Sequence, residues 1–137
     1  MSRAIAVLSF LLSVSFFESR SQPYTTKATP ERIILNLTAE PAKSVAVTWR
    51  TIARTLKPQV QIGEATSWIG FKQNARSINA KVERVPLDFP FSKLGFANYY
   101  SAIMDSLKPN TQYVYRVGAG TEWSEWSQFT TAKDTAT

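Results

Sequence analysis

The stretch "LKPNTQYVYRV" (residues 107–117) decides the fold class of this 137-residue chain. Leu107 is placed to fill the end of a core as one strand leaves it, and Pro109 fixes the backbone in the turn that follows. Tyr113 begins the next strand, where its ring can be buried while its hydroxyl bonds back to the main chain of the corner. The stretch therefore predicts a tyrosine corner, at which the chain passes from one β-sheet to another.

The residues after this corner alternate between the two faces of a strand. Tyr113, Tyr115 and Val117 are predicted to face inward, and Val114 and Arg116 to face outward. Four other segments have the same period of two, with predicted inward residues Ile33, Leu35 and Leu37, then Val45, Val47 and Trp49, then Val60 and Ile62, and finally Tyr100, Ala102 and Met104.

Between the inward residues of "SVAVTWR" (44–50), Ala46, Thr48 and Arg50 are predicted to point away from the core. A weaker strand, "AKVERVPLD" (80–88), contains Pro86, which suggests a position at the edge of a sheet.

These patterns together predict an all-β fold, an antiparallel seven-stranded immunoglobulin-like sandwich of the fibronectin type III-like kind. Two connections are predicted to be long, roughly residues 64–80 and 89–97. Their aromatic residues are expected to cap the core or to pack on a neighbouring domain, and they are Trp68, Phe71, Phe89, Phe91 and Phe96. The residues with predicted structural roles are Trp49, Leu107, Pro109, Tyr113 and Tyr115.

The N-terminal segment "MSRAIAVLSFLLSVSFFESRS" (1–21) predicts a secretory signal peptide, and hence a secreted protein. One cation precedes an apolar run that is short for crossing a bilayer, and small residues follow it. A retained anchor or a disordered tail is the alternative. The expected organisation is a signal peptide at 1–21, an extended leader at 22–30, one sandwich domain at 31–132, and the start of a linker or tail at 133–137. No membrane association is expected after cleavage.

The composition excludes several kinds of chemistry. The chain has no histidine and no cysteine, so most ligand sets for zinc, copper, haem and iron–sulfur clusters are excluded, as is catalysis with a histidine base. No Asp or Glu pair recurs at a spacing typical of metal ligands. A formal charge of +6 without a basic helix does not predict a nucleic-acid partner. No catalytic, cofactor-binding or metal-binding residue is therefore predicted.

Near the C-terminus, "TEWSEWSQFTT" (121–131) contains the Trp-Ser-x-Trp-Ser pattern associated with cytokine-receptor modules. In that family the tryptophans interleave with arginines on the neighbouring strand. Here the neighbouring strand offers a single outward cation, Arg116, so one Trp–Arg contact is expected and a ladder is not.

A structural role is the simplest interpretation of this run. Ser124 and Ser127 are expected to bond to the backbone at the sheet edge, and Trp123 and Trp126 to cover that edge. Docking of the tryptophans onto a following domain, or a receptor-type ligand site, are the alternatives.

Two segments also resemble a known family. "TPERIILNLTAEPAKSVAVTWRT" (29–51) with "LKPNTQYVYRVGAGTEWSEWSQFTTA" (107–132) resembles the N-terminal domain of purple acid phosphatases and related metallophosphoesterases. The matching elements are Pro30 with the strand at Arg32–Ile33, "SVAVTWRT", "YRVG" after the corner, and the closing "WSEW" and "FTTA". The resemblance spans nearly the whole chain after the signal peptide, although residues 64–97 match loosely.

The resemblance implies a fibronectin-like sandwich that precedes a calcineurin-like catalytic domain, its expected partner in cis. In that family two metal ions are held by Asp, Asn, His and Tyr residues of the catalytic domain, in motifs such as Gly-Asp and Gly-Asn-His-Glu. None of these motifs occurs in this chain. The resemblance therefore implies a non-catalytic domain that packs beside the catalytic one and shapes access to it, without a cofactor of its own.

One alternative stays open, a free-standing extracellular binding, adhesion or receptor module. Its contact patch would be formed by the aromatic residues of the two long connections, which are Trp68, Phe71, Phe89, Phe91 and Phe96. The candidate interface residues are Arg116, Trp123, Trp126, Trp68 and Phe91. The sequence Asn36-Leu37-Thr38 is in addition a candidate N-glycosylation site, because Asn36 falls on the outward phase of its strand.

Overall fold

The computed structural model describes residues 28–66, 70–89 and 92–135, with the backbone alone for residues 88, 89 and 92–94. The predicted signal peptide and most of the predicted leader lie outside these residues, as do Trp68 and Phe91. Within the described ranges no helix is both long enough and apolar enough to span a membrane.

The described chain forms nine strands and one short helix. They are β1 (Glu31–Leu37), β2 (Val45–Thr51), β3 (Gln59–Glu64), α1 (Phe71–Asn74), β4 (Arg76–Asn79), β5 (Lys81–Phe89), β6 (Ser92–Met104), β7 (Gln112–Ala119), β8 (Glu122–Trp123) and β9 (Ser127–Thr130). One sheet has the order β1-β2-β6-β5, which we call sheet A. The other, sheet B, has the order β4-β3-β7-β8, with β9 also paired to β7.

All strand pairs are antiparallel, which confirms the predicted sandwich. The predicted count of seven strands is wrong for the described residues. The sequence pattern missed the short strands β4 and β8, and the last predicted strand, "WSQFTTA" (126–132), corresponds to β9.

The core lies between β2 and β6 of sheet A and β3 and β7 of sheet B. Trp49 is 1% exposed and stacks on Tyr100, with 5.3 Å between ring centroids. Ile62 and Val117 face them from sheet B and are 2% and 0% exposed. The inward phase predicted from the period-two pattern is therefore the buried phase on these four strands.

The corner between β6 and β7 has the predicted geometry. The Tyr113 hydroxyl accepts a hydrogen bond of 2.8 Å from the backbone N–H of Lys108, and the Tyr113 ring is buried. Leu107 is buried at the end of the core. The carbonyl of Pro109 accepts a hydrogen bond from the Thr111 hydroxyl. Asn110 takes the left-handed conformation with φ 47°.

Three residues depart from the predicted alternation. Leu37 is 82% exposed, because it is the last residue of the edge strand β1. Of the three residues of β1 predicted to face inward, Ile33 and Leu35 pack on the core and Leu37 does not. Val114 is buried although it belongs to the outward phase, and it pairs with Gly63, where α1 approaches the sheet. Arg50 also points outward but is buried, where it forms an ion pair with Glu31.

The two predicted long connections are largely regular structure. Residues 64–80 contain α1 and β4, and residues 89–97 belong mostly to the hairpin of β5 and β6. This hairpin extends past the end of β2, whose last residue Thr51 pairs with Asn98. β5 is an edge strand, which is the position that Pro86 favours.

We expect Trp49→Ala to lower the free energy of unfolding by about 3–5 kcal/mol, because it removes a fully buried ring from the centre of the core. Urea denaturation followed by circular dichroism measures this loss. The matched control is Leu37→Ala, whose side chain is mostly exposed and whose effect should stay within about 0.5 kcal/mol. Equal stability of the two variants would contradict the placement of Trp49 at the core.

Candidate functional site

The outward face of β7 carries one arginine that contacts two tryptophans. The guanidinium carbon of Arg116 lies 4.4 Å from the ring centroid of Trp123 and 4.8 Å from that of Trp126. The expectation of a single Trp–Arg contact is therefore wrong. The break between β8 and β9 separates the two indoles along the sheet edge, and both reach the same guanidinium. We call Arg116, Trp123 and Trp126 the Trp–Arg stack.

Hydrogen bonds fix the members of this stack. The Nε of Arg116 donates to Oε1 of Gln61 on the neighbouring strand at 2.8 Å. The indole N–H of Trp123 donates to the carbonyl of Gly120 at 2.7 Å. The bond to Gln61 holds the Arg116 guanidinium in position. The side chain therefore loses less conformational freedom when it stacks on the indoles, which favours the stacked arrangement over a solvated one.

Ser124 fills the gap between β8 and β9. Its hydroxyl accepts a hydrogen bond of 3.0 Å from the N–H of Val117, and its own N–H donates to the Val117 carbonyl at 2.9 Å. This is the backbone role that the sequence predicted for Ser124. The close approach of β8 requires glycine at Gly118 of β7, where a Cβ atom would lie 2.2 Å from the carbonyl oxygen of Glu122.

A second aromatic contact extends the stack across the face of sheet B. Phe71 of α1 meets Trp126 edge to face, with 5.2 Å between ring centroids. The helix approaches β3 closely at Gly63, where a Cβ atom would lie 3.1 Å from the Phe71 carbonyl oxygen. Gly63 pairs with Val114, so the buried outward valine lies beside the point where α1 approaches the sheet. α1 therefore covers part of this face, and the indoles of the stack stay half-buried beside it.

The aromatic residues of the predicted contact patch do not share one surface. Phe71 packs on the stack over sheet B, whereas Phe96 lies on the hairpin of β5 and β6 in sheet A. Phe96 is 44% exposed, and the guanidinium carbon of Arg84 lies 3.8 Å from its ring centroid. Trp68 and Phe91 are outside the described residues, and so is the side chain of Phe89.

Sheet A has its own charged group on the outward face. Arg50 donates from Nε to Oε1 of Glu31 at 2.7 Å, and it also bonds with Tyr99. Burial alone would lower the pKa of Arg50, but the hydrogen bonds with Glu31 and Tyr99 outweigh it and raise that pKa. The pair joins the start of β1 to β2, which is a structural role.

The donor set of a di-metal centre is absent from the described part of the chain. No cluster of three or more Asp and Glu residues there could hold a metal ion, and the whole sequence lacks His and Cys. The residues present therefore do not fit such a centre.

Fold and surface together define the class of this protein. It is a fibronectin type III-like β-sandwich with a tyrosine corner and a Trp–Arg stack on one face. Within that class, the chain belongs to the family described as the purple acid phosphatase N-terminal domain, whose sequence model matches residues 30–131.

Solved structures show the same fold. Purple acid phosphatase PPD1 from yellow lupin (Lupinus luteus) seeds matches with a TM-score of 0.52 and 17% identity, over 77% of this chain and 20% of that one. Astrotactin-2, a vertebrate-specific perforin-like membrane protein, matches with a TM-score of 0.50 and 16% identity, over 88% of this chain and 25% of that one. This chain thus spans about a fifth of the lupin enzyme's length. A search of curated protein sequences gives no match.

We expect Arg116→Ala to destabilise the domain by about 1–2 kcal/mol, because it removes two cation–π contacts and the bond to Gln61. Arg116→Lys should lose less, since it keeps the charge without the planar fork. The measurements are urea denaturation and the near-ultraviolet circular dichroism of the indoles. Arg54→Ala, at an exposed arginine, is the matched control. If Arg116→Ala and Arg54→Ala unfold alike, the stack does not stabilise the fold.

The buried Tyr115 gives a pH dependence. Burial raises its pKa above the ordinary value of 10.0, and a hydrogen bond with Ser127 offsets part of the rise. The unfolded state then releases the proton first, so the contribution of Tyr115 to stability is complete below about pH 10 and falls as pH rises through the folded pKa. We expect Tyr115→Phe to reduce the alkaline loss of stability and to leave the profile between pH 5 and 8 parallel to the wild type. Equal alkaline slopes would contradict this account.

Proposed function

We propose that this chain is the non-catalytic N-terminal sandwich domain of a secreted purple acid phosphatase-like metallophosphoesterase. In this proposal it packs beside a calcineurin-like catalytic domain in cis and shapes the approach to the active site. The observation that carries the proposal is the match of the family model over residues 30–131. The di-metal centre and the hydrolysis of phosphate monoesters belong to the catalytic domain, because the residues described here do not fit that centre.

The geometry at the end of β9 supports a fixed arrangement of the two domains. Thr131 is 3% exposed and its N–H donates to the Thr111 carbonyl at 3.0 Å. The N–H of Ala132 donates to the carbonyl of Pro41 at 3.1 Å. The chain is thus held to the tyrosine corner and to the β1–β2 turn through Ala132, so a domain that follows would start from a defined position.

The Trp–Arg stack is the surface we propose for contact with the catalytic domain. Its indoles are half-buried, which leaves their outer edges available to a partner. β9 leads directly from Trp126 to Thr131, about 17 Å at the usual rise of an extended strand. Aromatic and arginine side chains are also the residues most enriched at the centres of protein interfaces.

The free-standing binding module has less support. Its contact patch required the loop aromatics to converge, but Phe71 of α1 packs over sheet B and Phe96 lies in sheet A. Phe71 is moreover engaged by Trp126.

The proposal is tested on the messenger RNA and on the purified protein. We expect the reading frame to continue past codon 137 into Gly-Asp and Gly-Asn-His-Glu motifs, and the longer chain to hydrolyse p-nitrophenyl phosphate once loaded with metal. Residues 22–137 alone, given the same divalent and trivalent metal ions, should match the rate of buffer. A frame without a phosphoesterase domain, or enzymatic turnover by residues 22–137, would overturn the proposal.

A further inference from the structure

The two outer faces of the sandwich differ in how they are covered. Sheet B lies under α1 and the Trp–Arg stack, whereas sheet A exposes isoleucines on its outward phase. Ile34 is 54% exposed and Ile103 is 58% exposed. Ile103 pairs with Ala46 of β2, and Ile34 of β1 pairs with Thr48, two residues further along β2. We call Ile34, Ala46 and Ile103 the β1–β6 patch.

Asn36 lies within this patch. It is exposed and pairs with Ala46, which in turn pairs with Ile103, so the three residues form one cross-strand row on the outward face. Neighbouring strands are about 4.8 Å apart, which places Ile103 roughly 10 Å from Asn36. The first sugar units on Asn36 would reach that distance. Asn36-Leu37-Thr38 is the one Asn-x-Ser/Thr sequence in the chain.

We propose that Asn36 carries an N-linked oligosaccharide and that this oligosaccharide covers the β1–β6 patch. The inference rests on the proposed secretion of the protein. In the transfer step, the amide nitrogen of Asn36 forms a bond to C1 of a sugar on a lipid pyrophosphate donor. The bond from C1 to the pyrophosphate oxygen breaks, the lipid pyrophosphate leaves, and the amide nitrogen loses one proton.

The fold limits when this transfer can occur. The hydroxyl of Thr38, the third residue of the acceptor sequence, donates to the carbonyl of Ser44 at 3.0 Å and lies 2.6 Å from the Ser44 hydroxyl. It also accepts the N–H of Glu40 at 3.2 Å. In the closed β1–β2 turn the Thr38 hydroxyl is therefore engaged in hydrogen bonds. An oligosaccharide transferase must recognise this hydroxyl, so Asn36 is modified while the turn is still open.

The site is tested in eukaryotic secretory cells that express the chain with its own first 21 residues. We expect the secreted wild type to lose the mass of an oligosaccharide on treatment with an amidase specific for N-linked sugars, and Asn36→Gln to lose none. The control is Asn36→Gln combined with Gln112→Thr, which creates an acceptor sequence at the exposed Asn110. A sugar on the control and none on the wild type would overturn the inference and leave secretion intact. Absence of every chain from the medium would overturn the proposed secretion, and this inference with it.

Covering of the patch is tested with the same three proteins. Binding of an apolar fluorescent dye and sedimentation at several concentrations report exposed apolar surface and self-association. We expect at least twofold more dye fluorescence from Asn36→Gln and from the control than from the wild type, because both leave the β1–β6 patch bare. Adding Ile103→Lys to Asn36→Gln should restore the wild-type value. If the control with its sugar at Asn110 behaves like the wild type, the oligosaccharide acts as a general solubiliser and the covering role is wrong.

Discussion

The hydrogen bond from the Lys108 N–H to the Tyr113 hydroxyl is the contact on which much of the sandwich depends. It spans the corner where the chain leaves sheet A and enters sheet B, so it joins the two sheets at one end. Leu107 donates its N–H to the carbonyl of Lys43 at 2.9 Å, which ties the β1–β2 turn to the same corner. The Thr131 hydroxyl donates to the Lys108 carbonyl and fixes the end of β9 there. The corner thus joins three segments that are distant in sequence.

The corner also determines which residues of β7 face outward. Once Tyr113 is held inward, the period of two places Tyr115 and Val117 in the core and Arg116 on the outer face. A shift of one residue would bury the guanidinium and expose two tyrosines, which the buried corner forbids. The ring of Tyr113 further stacks on Phe129 at 5.8 Å, which aligns β9 with β7. The Trp–Arg stack is therefore a consequence of the corner as much as of the tryptophans.

The parts of the fold that could be predicted from sequence are those with local causes. The corner is encoded within "LKPNTQYVYRV", and the inward residues of β2, β3, β6 and β7 follow from alternation alone. The burial of Val114 could not be predicted from alternation, because its partner Gly63 is approached by α1, a segment distant from β7 in sequence. The inward placement predicted for Leu37 was wrong for the opposite reason. The pattern cannot show that no segment packs over the end of an edge strand.

The candidate site also has a part that could be predicted from the sequence and a part that could not. Arg116 and both tryptophans were recognisable as a group from the Trp-Ser-x-Trp-Ser pattern. The contact of one guanidinium with two indoles could not be predicted. It depends on the gap between β8 and β9, where Ser124 bonds to the backbone of Val117. A pattern gives the phase of a strand but not the point at which its pairing is interrupted.

The two outer faces constrain each other's roles. An antiparallel sheet that faces water is normally polar on that side, yet sheet A exposes Ile34 and Ile103 there. No described segment packs over them in the way that α1 and Phe71 cover sheet B. An oligosaccharide on Asn36 and a protein domain cannot both occupy this face, since Asn36 lies in the same cross-strand row as Ile103. If Asn36 carries the proposed sugar, the proposed catalytic domain would contact the face that bears the Trp–Arg stack. β9 leads from Trp126 to Thr131, so the proposed connection to that domain and the proposed contact surface would lie on the same side.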